Sequence, residues 1–195
     1  QYVQKIGDEC AKHDILFLFE LLVYPLSRDI HQTKEYVEMQ NKKTVHVLES
    51  VREFSDKKYG IDVFKLESPV NVNKISDSDL NTFKEMGEIA GRPWVMLSAG
   101  AGKKEFKQVL RLAFKAGCSG FLAGRAIWLD AFMHYPNWDK IQTQLESNAK
   151  DYLYEIGEIA NEAALSWHNH VCYGKDGSKF PYDNHEFRVQ YNGIE

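Results

Sequence analysis

Lys65 stands inside Ile61-Asp62-Val63-Phe64-Lys65-Leu66-Glu67-Ser68-Pro69, an apolar run of strand-like composition. Lysine is rare inside proteins because its ammonium loses hydration there, and the same loss favours the neutral amine that attacks a carbonyl carbon. The residue therefore reads as an imine-forming amine. On a strand, Val63, Lys65 and Glu67 share one face, and Phe64 and Leu66 share the other. A sheet with one wet face would leave Lys65 merely solvated, so the cover over that face decides between the two readings. A second ionisable group in an apolar run is Glu20, within Ile15 to Tyr24. A carboxylate beside an amine can shuttle protons to and from it and its substrate. The alternative is an ion pair of Lys65 with Glu20 or Glu67 that only neutralises buried charge.

Two further segments suit an anion. Ser98-Ala99-Gly100-Ala101-Gly102 precedes a helix, where bare amides and a hydroxyl can converge. It is not a Walker A loop, because the glycine spacing differs and Lys103 is followed by Lys104. A tight strand-helix turn is the other reading of this stretch. Gly124-Arg125 ends the next strand and adds a bidentate donor. His168, His170 and Cys172 alternate as if on a strand, but their order and spacing match no zinc pattern, so no metal is assigned. His13, His31, His46, His134 and His185 are scattered and read as surface or capping residues.

The elements that must position these groups alternate between strand and helix periods. A first strand, Ile15 to Pro25, is apolar on both faces, as in a parallel sheet covered on both sides. The pattern then predicts a helix from about Thr33 to Ser55, with Val37, Thr44, Val47, Leu48, Val51 and Phe54 inward. After the Lys65 strand comes a helix capped by Ser76 or Asp77, with Leu80, Phe83, Met86 and Ile89 inward. A third strand, Trp94 to Ser98, leads into a helix carrying Phe106, Val109, Leu110 and Ala113, with Gly117 near its end. A fourth, Gly120 to Arg125, leads into a long helical stretch from Trp138 to Ala164. Four strand-helix repeats predict parallel strands with ligand chemistry beyond their carboxyl ends.

With 195 residues, 44% of them hydrophobic, the chain can bury a sizeable core and reads as one globular unit. Net charge is -4 and the basic residues are spread among acids, so nucleic acid and anionic membrane are not expected partners. Cys10, Cys118 and Cys172 are odd in number and far apart, which suits a reducing cytoplasm. The longest apolar run is too short for a bilayer and is broken by Glu20.

The stretches Phe19-Glu20-Leu21-Leu22, Phe64 to Val70, Leu97-Ser98-Ala99-Gly100 and Ala123 to Trp128 occur in an order that resembles the tagatose 1,6-bisphosphate aldolase family of class I aldolases. The resemblance covers about residues 1 to 168 and leaves 169 to 195 as a C-terminal extension. It implies an α/β fold of (β/α)8 TIM-barrel type, here only its second half, strands five to eight with their helices. It implies Lys65 as the Schiff-base lysine, Glu20 as the acid/base, and Ser98, Gly100, Gly124 and Arg125 at a substrate phosphate, with Glu67 as a possible supporting group. It also implies cleavage of a ketohexose bisphosphate to dihydroxyacetone phosphate and glyceraldehyde 3-phosphate, with no metal and no cofactor. Sulfofructose-phosphate and other sugar-phosphate aldolases share much of this set, and a non-catalytic sugar-phosphate-binding module or inactive fragment is the alternative of another class. A whole barrel takes typically about 250 residues, so the chain reads as either a natural half-barrel or a fragment, and the start at Gln1 favours the fragment. Exposed strand edges and an apolar inner face predict a homodimer or pairing with the missing half-barrel.

Overall fold

The structure, a computed structural model, describes residues 1–23 and 40–174, and of 40–43 the backbone alone. The expected stop at Pro25, the start of the helix near Thr33, Val37 and the tail beyond 174 lie outside the described residues.

Four short strands, β1 (Leu18–Leu21), β2 (Val63–Leu66), β3 (Trp94–Leu97) and β4 (Gly120–Leu122), form one parallel sheet in sequential order. Helix α1 (Tyr2–Lys12) precedes them, and α2 (Gln40–Phe54), α3 (Leu80–Ala90) and α4 (Lys103–Lys115) connect them. After β4 come α5 (Arg125–Phe132), α6 (Trp138–Gln144) and α7 (Lys150–Ala163). A π-helical turn, Leu145–Ala149, interrupts what the sequence pattern reads as one long helix. The fourth strand is shorter than expected: it ends at Leu122, Gly124 caps α5, and Arg125 is that helix's first residue.

Alternation along the strands sorts two unlike faces. Phe64, Leu66, Trp94 and Met96 are buried in one core with Val47, Leu48 and Val51 of α2, Phe83 and Met86 of α3, and Phe106, Val109 and Leu110 of α4. Phe19, Leu21 and Phe121 pack against the same core. In α4 the buried Phe106, Val109, Leu110 and Ala113 fall at the spacing of one helical face, and α7 covers α4 with Tyr152, Ile156 and Ile159. The capping of α3 is reciprocal: Asp79 Oδ2 accepts from the Ser76 amide at 2.8 Å across a 3-10 turn, Asp77–Asp79, that runs into the helix.

The opposite face carries Leu18, Glu20, Val63, Lys65, Val95, Gly120 and Leu122, and remains partly open to solvent. Leu18 is 38% exposed and Leu122 45%. The first strand is therefore covered on one side by the described residues, not on both. Its two-sided apolar pattern exceeds what those residues bury.

Arg92 fastens the entry to β2. Its guanidinium donates to the carbonyls of Ile61 and Ser55 and lies 6.0 Å from the Phe64 ring centre. Helix α1 meets the 3-10 turn Lys57–Tyr59 through Gly7, where an added Cβ would come 2.0 Å from the Tyr59 carbonyl oxygen. Beneath β3 and β4, Cys118 is buried and donates to the carbonyls of Trp94 (3.4 Å) and Gly120 (3.2 Å). Among the described residues no helix is long and apolar enough to cross a membrane.

Two stability predictions follow from this packing. Gly7→Ala forces α1 off its turn and costs about 1 to 3 kcal/mol, whereas Gly157→Ala, in open space on α7, stabilises by about 0.5 to 1 kcal/mol. Thermal melts of the two variants should move in opposite directions. Burial pushes the Cys118 thiol up to about 12 from 9.0, and burial followed by Glu155 and Glu105 pushes the Tyr152 hydroxyl up to about 12 from 10.0. The unfolded chain releases these protons first, so the stability they confer is full below pH 9.0 and is lost as pH rises toward about 12. Denaturant titrations from pH 8 upward should show a shallower alkaline decline in Cys118→Ala than in the native chain.

Candidate active site

Register makes the site. Glu20 and Lys65 are direct partners in the β1–β2 pairing, so both side chains rise from the open face at the same level. Lys65 Nζ donates to Glu20 Oε2 at 2.7 Å. Lys65 is the more enclosed, its side chain 21% exposed against 43% for Glu20. The next residues along the same row are small or apolar, Val95 and Gly120, and leave space before the amine.

Two residues on, Glu67 is only 3% exposed and its Oε1 accepts the Val23 amide at 2.7 Å. The backbone ladder between β1 and β2 ends at the Leu21–Leu66 pair, so this carboxylate takes over the pairing of the two strands beyond it. Ser68 closes on Val70 through both hydroxyl and amide contacts. Asn71 then caps the 3-10 turn Val72–Lys74, its Oδ1 accepting from the Asn73 amide at 2.9 Å. That contact fixes the orientation of the carboxamide and leaves Nδ2 buried with no partner among the described residues.

The carboxyl ends of the strands open into a cavity of about 630 Å³. Its walls include all the residues that the resemblance assigned to catalysis, support or phosphate: Glu20, Lys65, Glu67, Ser98, Gly100, Gly124 and Arg125. At Ser98 the chain turns with Ala99 and Gly100 both in the left-handed region (φ 46° and 82°), and Ala101 N–H returns to the Ser98 carbonyl at 2.8 Å. A left-handed alanine costs about 1 to 2 kcal/mol, a strain sited at the cavity wall. The first intrahelical bond of α4 is Phe106 N–H to Gly102 O, which leaves the amides of its first turn without intrahelical acceptors. The start of α5 is similar, with Ile127 and Trp128 as the first donors to Gly124 O. Lys103 does not add to the cavity; its ammonium is held by Asp130 at 2.8 Å and lies over the Tyr152 ring.

One end of the cavity thus presents an amine and carboxylates, and the other presents two helix starts, a hydroxyl and a guanidinium. Such a vessel can hold a small molecule with a carbonyl at one end and an anion at the other. Sequence reasoning missed Asn71, Asn73 and Trp128 as cavity residues. The signal for Asn71 was its place in the loop that follows the Lys65 strand, ahead of a turn that it caps.

The strand-like alternation of His168, His170 and Cys172 does not hold. The segment forms two 3-10 turns, Trp167–Asn169 and Val171–Tyr173, and His170 Nδ1 accepts the Cys172 amide at 3.2 Å. Burial lowers the His170 pKa, which keeps the ring neutral for that role. His168 instead pairs with Ser166 Oγ at 2.9 Å.

Residues 1–130 match the family described as DeoC/LacD family aldolase. The chain is 32% identical over 179 residues to the tagatose 1,6-diphosphate aldolase 1 of Enterococcus faecalis, an alignment covering 85% of this chain and 54% of that protein. It is 30% identical over 185 residues to the tagatose 1,6-diphosphate aldolase 2 of Streptococcus agalactiae, covering 87% and 56% respectively. It is also 30% identical over 181 residues to the tagatose 1,6-diphosphate aldolase 1 of Streptococcus mutans, covering 85% and 55%. The chain spans about half the length of the curated relatives it matches. With that family match over most of its length, and with an amine and a carboxylate side by side at the mouth of a parallel sheet, this chain belongs to the DeoC/LacD family of aldolases.

Proposed function

We propose that residues 1 to 168 are the second half of a (β/α)8 barrel and that they cleave a ketohexose bisphosphate, such as tagatose 1,6-bisphosphate, by Schiff-base chemistry. Residues 169 to 195 form an extension to it. The observation that carries this reading is the 2.7 Å contact between Lys65 Nζ and Glu20 Oε2 inside a cavity whose far wall suits a phosphate. Sequential strand order with helices packed against one face supports the barrel reading.

In this mechanism Glu20 takes a proton from the Lys65 ammonium and the freed amine adds to the ketone at C2. The proton returns to the departing hydroxyl, water leaves, and a protonated imine remains. Glu20 then accepts the C4 hydroxyl proton while the C3–C4 bond breaks. The bonding pair moves into the iminium to give an enamine, and glyceraldehyde 3-phosphate leaves. Protonation at C3 and hydrolysis release dihydroxyacetone phosphate and regenerate the amine. Arg125, Ser98 and the amides near Gly100 and Gly124 anchor a phosphate, so remote binding holds the carbonyl at Lys65. Glu67 supports the pair by tying the exit of β1 to β2.

Among the described residues one face of the sheet and the edges of β1 and β4 are uncovered, and these call for a partner. We assign that role to the other half-barrel or to a second copy of this chain. The three free thiols fit a cytoplasmic setting. One observation favours a second reading, a binding module: Glu20 is 43% exposed, and on that reading the 195 residues alone bind a sugar phosphate without turnover.

Borohydride added with dihydroxyacetone phosphate should fix the triose mass on Lys65, read by peptide mass spectrometry, and Lys65→Met should abolish it. Glu20→Gln should slow trapping by about 10²- to 10⁴-fold, the usual contribution of a proton-transfer group. Chelator-sensitive cleavage without a trapped adduct would exclude this route. Glu67→Leu leaves the Val23 amide unpaired and should cost about 1 to 3 kcal/mol. It should slow trapping as well, whereas Glu67→Gln, which keeps an acceptor, should retain most of both.

A further inference from the structure

One donor at the anion end of the cavity is not used by the mechanism. Trp128 follows Arg125 by three residues, which places the two on neighbouring turns of one face of α5. Helical side chains lean toward the N-terminus, and that lean carries the indole back over Gly124. The packing there is close: a Cβ on Gly124 would lie 3.3 Å from Trp128 Nε1. Glycine at this position therefore clears the space that the indole N–H occupies. Phe132 supports the ring from the next turn, centroids 5.4 Å apart and edge to face.

Trp128 lines the same cavity as Lys65, Ser98 and Arg125 and is 38% exposed. Among the described residues its Nε1–H has no acceptor. An indole can only donate. A tryptophan serving solely as an apolar wall has no need of its nitrogen at the start of a helix. Here the nitrogen is the edge turned toward Gly124, beside amides that also lack acceptors.

We infer that Trp128 is a specificity-determining residue whose indole N–H donates to a terminal oxygen of a phosphate monoester held at Arg125. The inference rests on reading the cavity as a sugar-phosphate site and adds a neutral donor to it. Its consequence is a cradle with one guanidinium and several neutral donors among the described residues, since Lys103 is turned away to Asp130 and Lys65 is held by Glu20. Such a cradle selects a group with several acceptor oxygens over a sugar hydroxyl, which must give up its own proton to another partner.

The test uses the native 195-residue chain, titrated with inorganic phosphate and followed through its indole N–H resonances. The Trp128 peak, assigned by its loss in Trp128→Phe, should move downfield and saturate, while those of Trp138 and Trp167 stay in place. Calorimetry should show Trp128→Phe binding phosphate about tenfold more weakly, the scale of one hydrogen bond to a charged group. No phosphate binding by the native chain, an unmoved Trp128 peak, or equal affinity in a folded Trp128→Phe variant overturns the inference. Borohydride trapping on Lys65 separates it from the aldolase reading. An adduct with an unmoved indole peak removes the role of Trp128 alone, and a moved peak with no adduct removes the imine chemistry alone. If Trp128→Phe does not fold, triple-resonance assignment of the native chain identifies the Trp128 peak, and its response to phosphate still decides.

Discussion

An amine and a carboxylate pair across two parallel strands, and the rest of the molecule is arranged so that this pairing falls at the mouth of the sheet. Lys65 and Glu20 are register partners, so the backbone ladder itself fixes their separation before either side chain chooses a rotamer. Behind them the row Phe19, Phe64, Trp94 fills the helix-facing side. A slip of one residue in β1 would send Glu20 into that aromatic row and Phe19 into the cavity. Hydrophobic packing on one face thereby sets the chemistry on the other. Glu67 extends this control past the last backbone pairing by accepting the Val23 amide.

The cavity is electrostatically divided. Its carboxylates and amine lie at the ends of β1 and β2, and its donors lie at the starts of α4 and α5. The division follows from parallel topology: every strand ends at the same rim, and every following helix begins there with amides that lack intrahelical acceptors. Two cations of α4 are occupied elsewhere, Lys103 by Asp130 and Lys107 by Glu155.

Much of this was legible in the chain because strand and helix periods are local. Phe64 and Leu66 against Lys65 and Glu67 announced opposite faces, and Phe106, Val109, Leu110 and Ala113 announced the inner side of α4. What escaped depends on hydrogen bonds and contacts that no period records. The free nitrogen of Asn71 is created by the turn that claims its oxygen, and the nearness of Trp128 to Gly124 arises from the fold of one helical turn. Gly124 and Arg125 read as strand because they follow an apolar run, yet the helix began there. The two-sided apolar pattern of the first strand predicted cover on both sides, and the described residues supply it on one. We propose that the pattern records the half-barrel or second copy that would close over Leu18, Leu22 and Leu122.

The central chemistry is Lys65 and Glu20 acting together on a carbonyl inside that cavity. A crystal structure of the chain soaked with dihydroxyacetone phosphate tests this most directly. The expected result is continuous density from Lys65 Nζ to C2 of the triose, with Glu20 within hydrogen-bond distance and the phosphate against the starts of α4 and α5. Triose bound in the cavity with an unmodified Lys65 still paired to Glu20, or bound elsewhere on the fold, would contradict it.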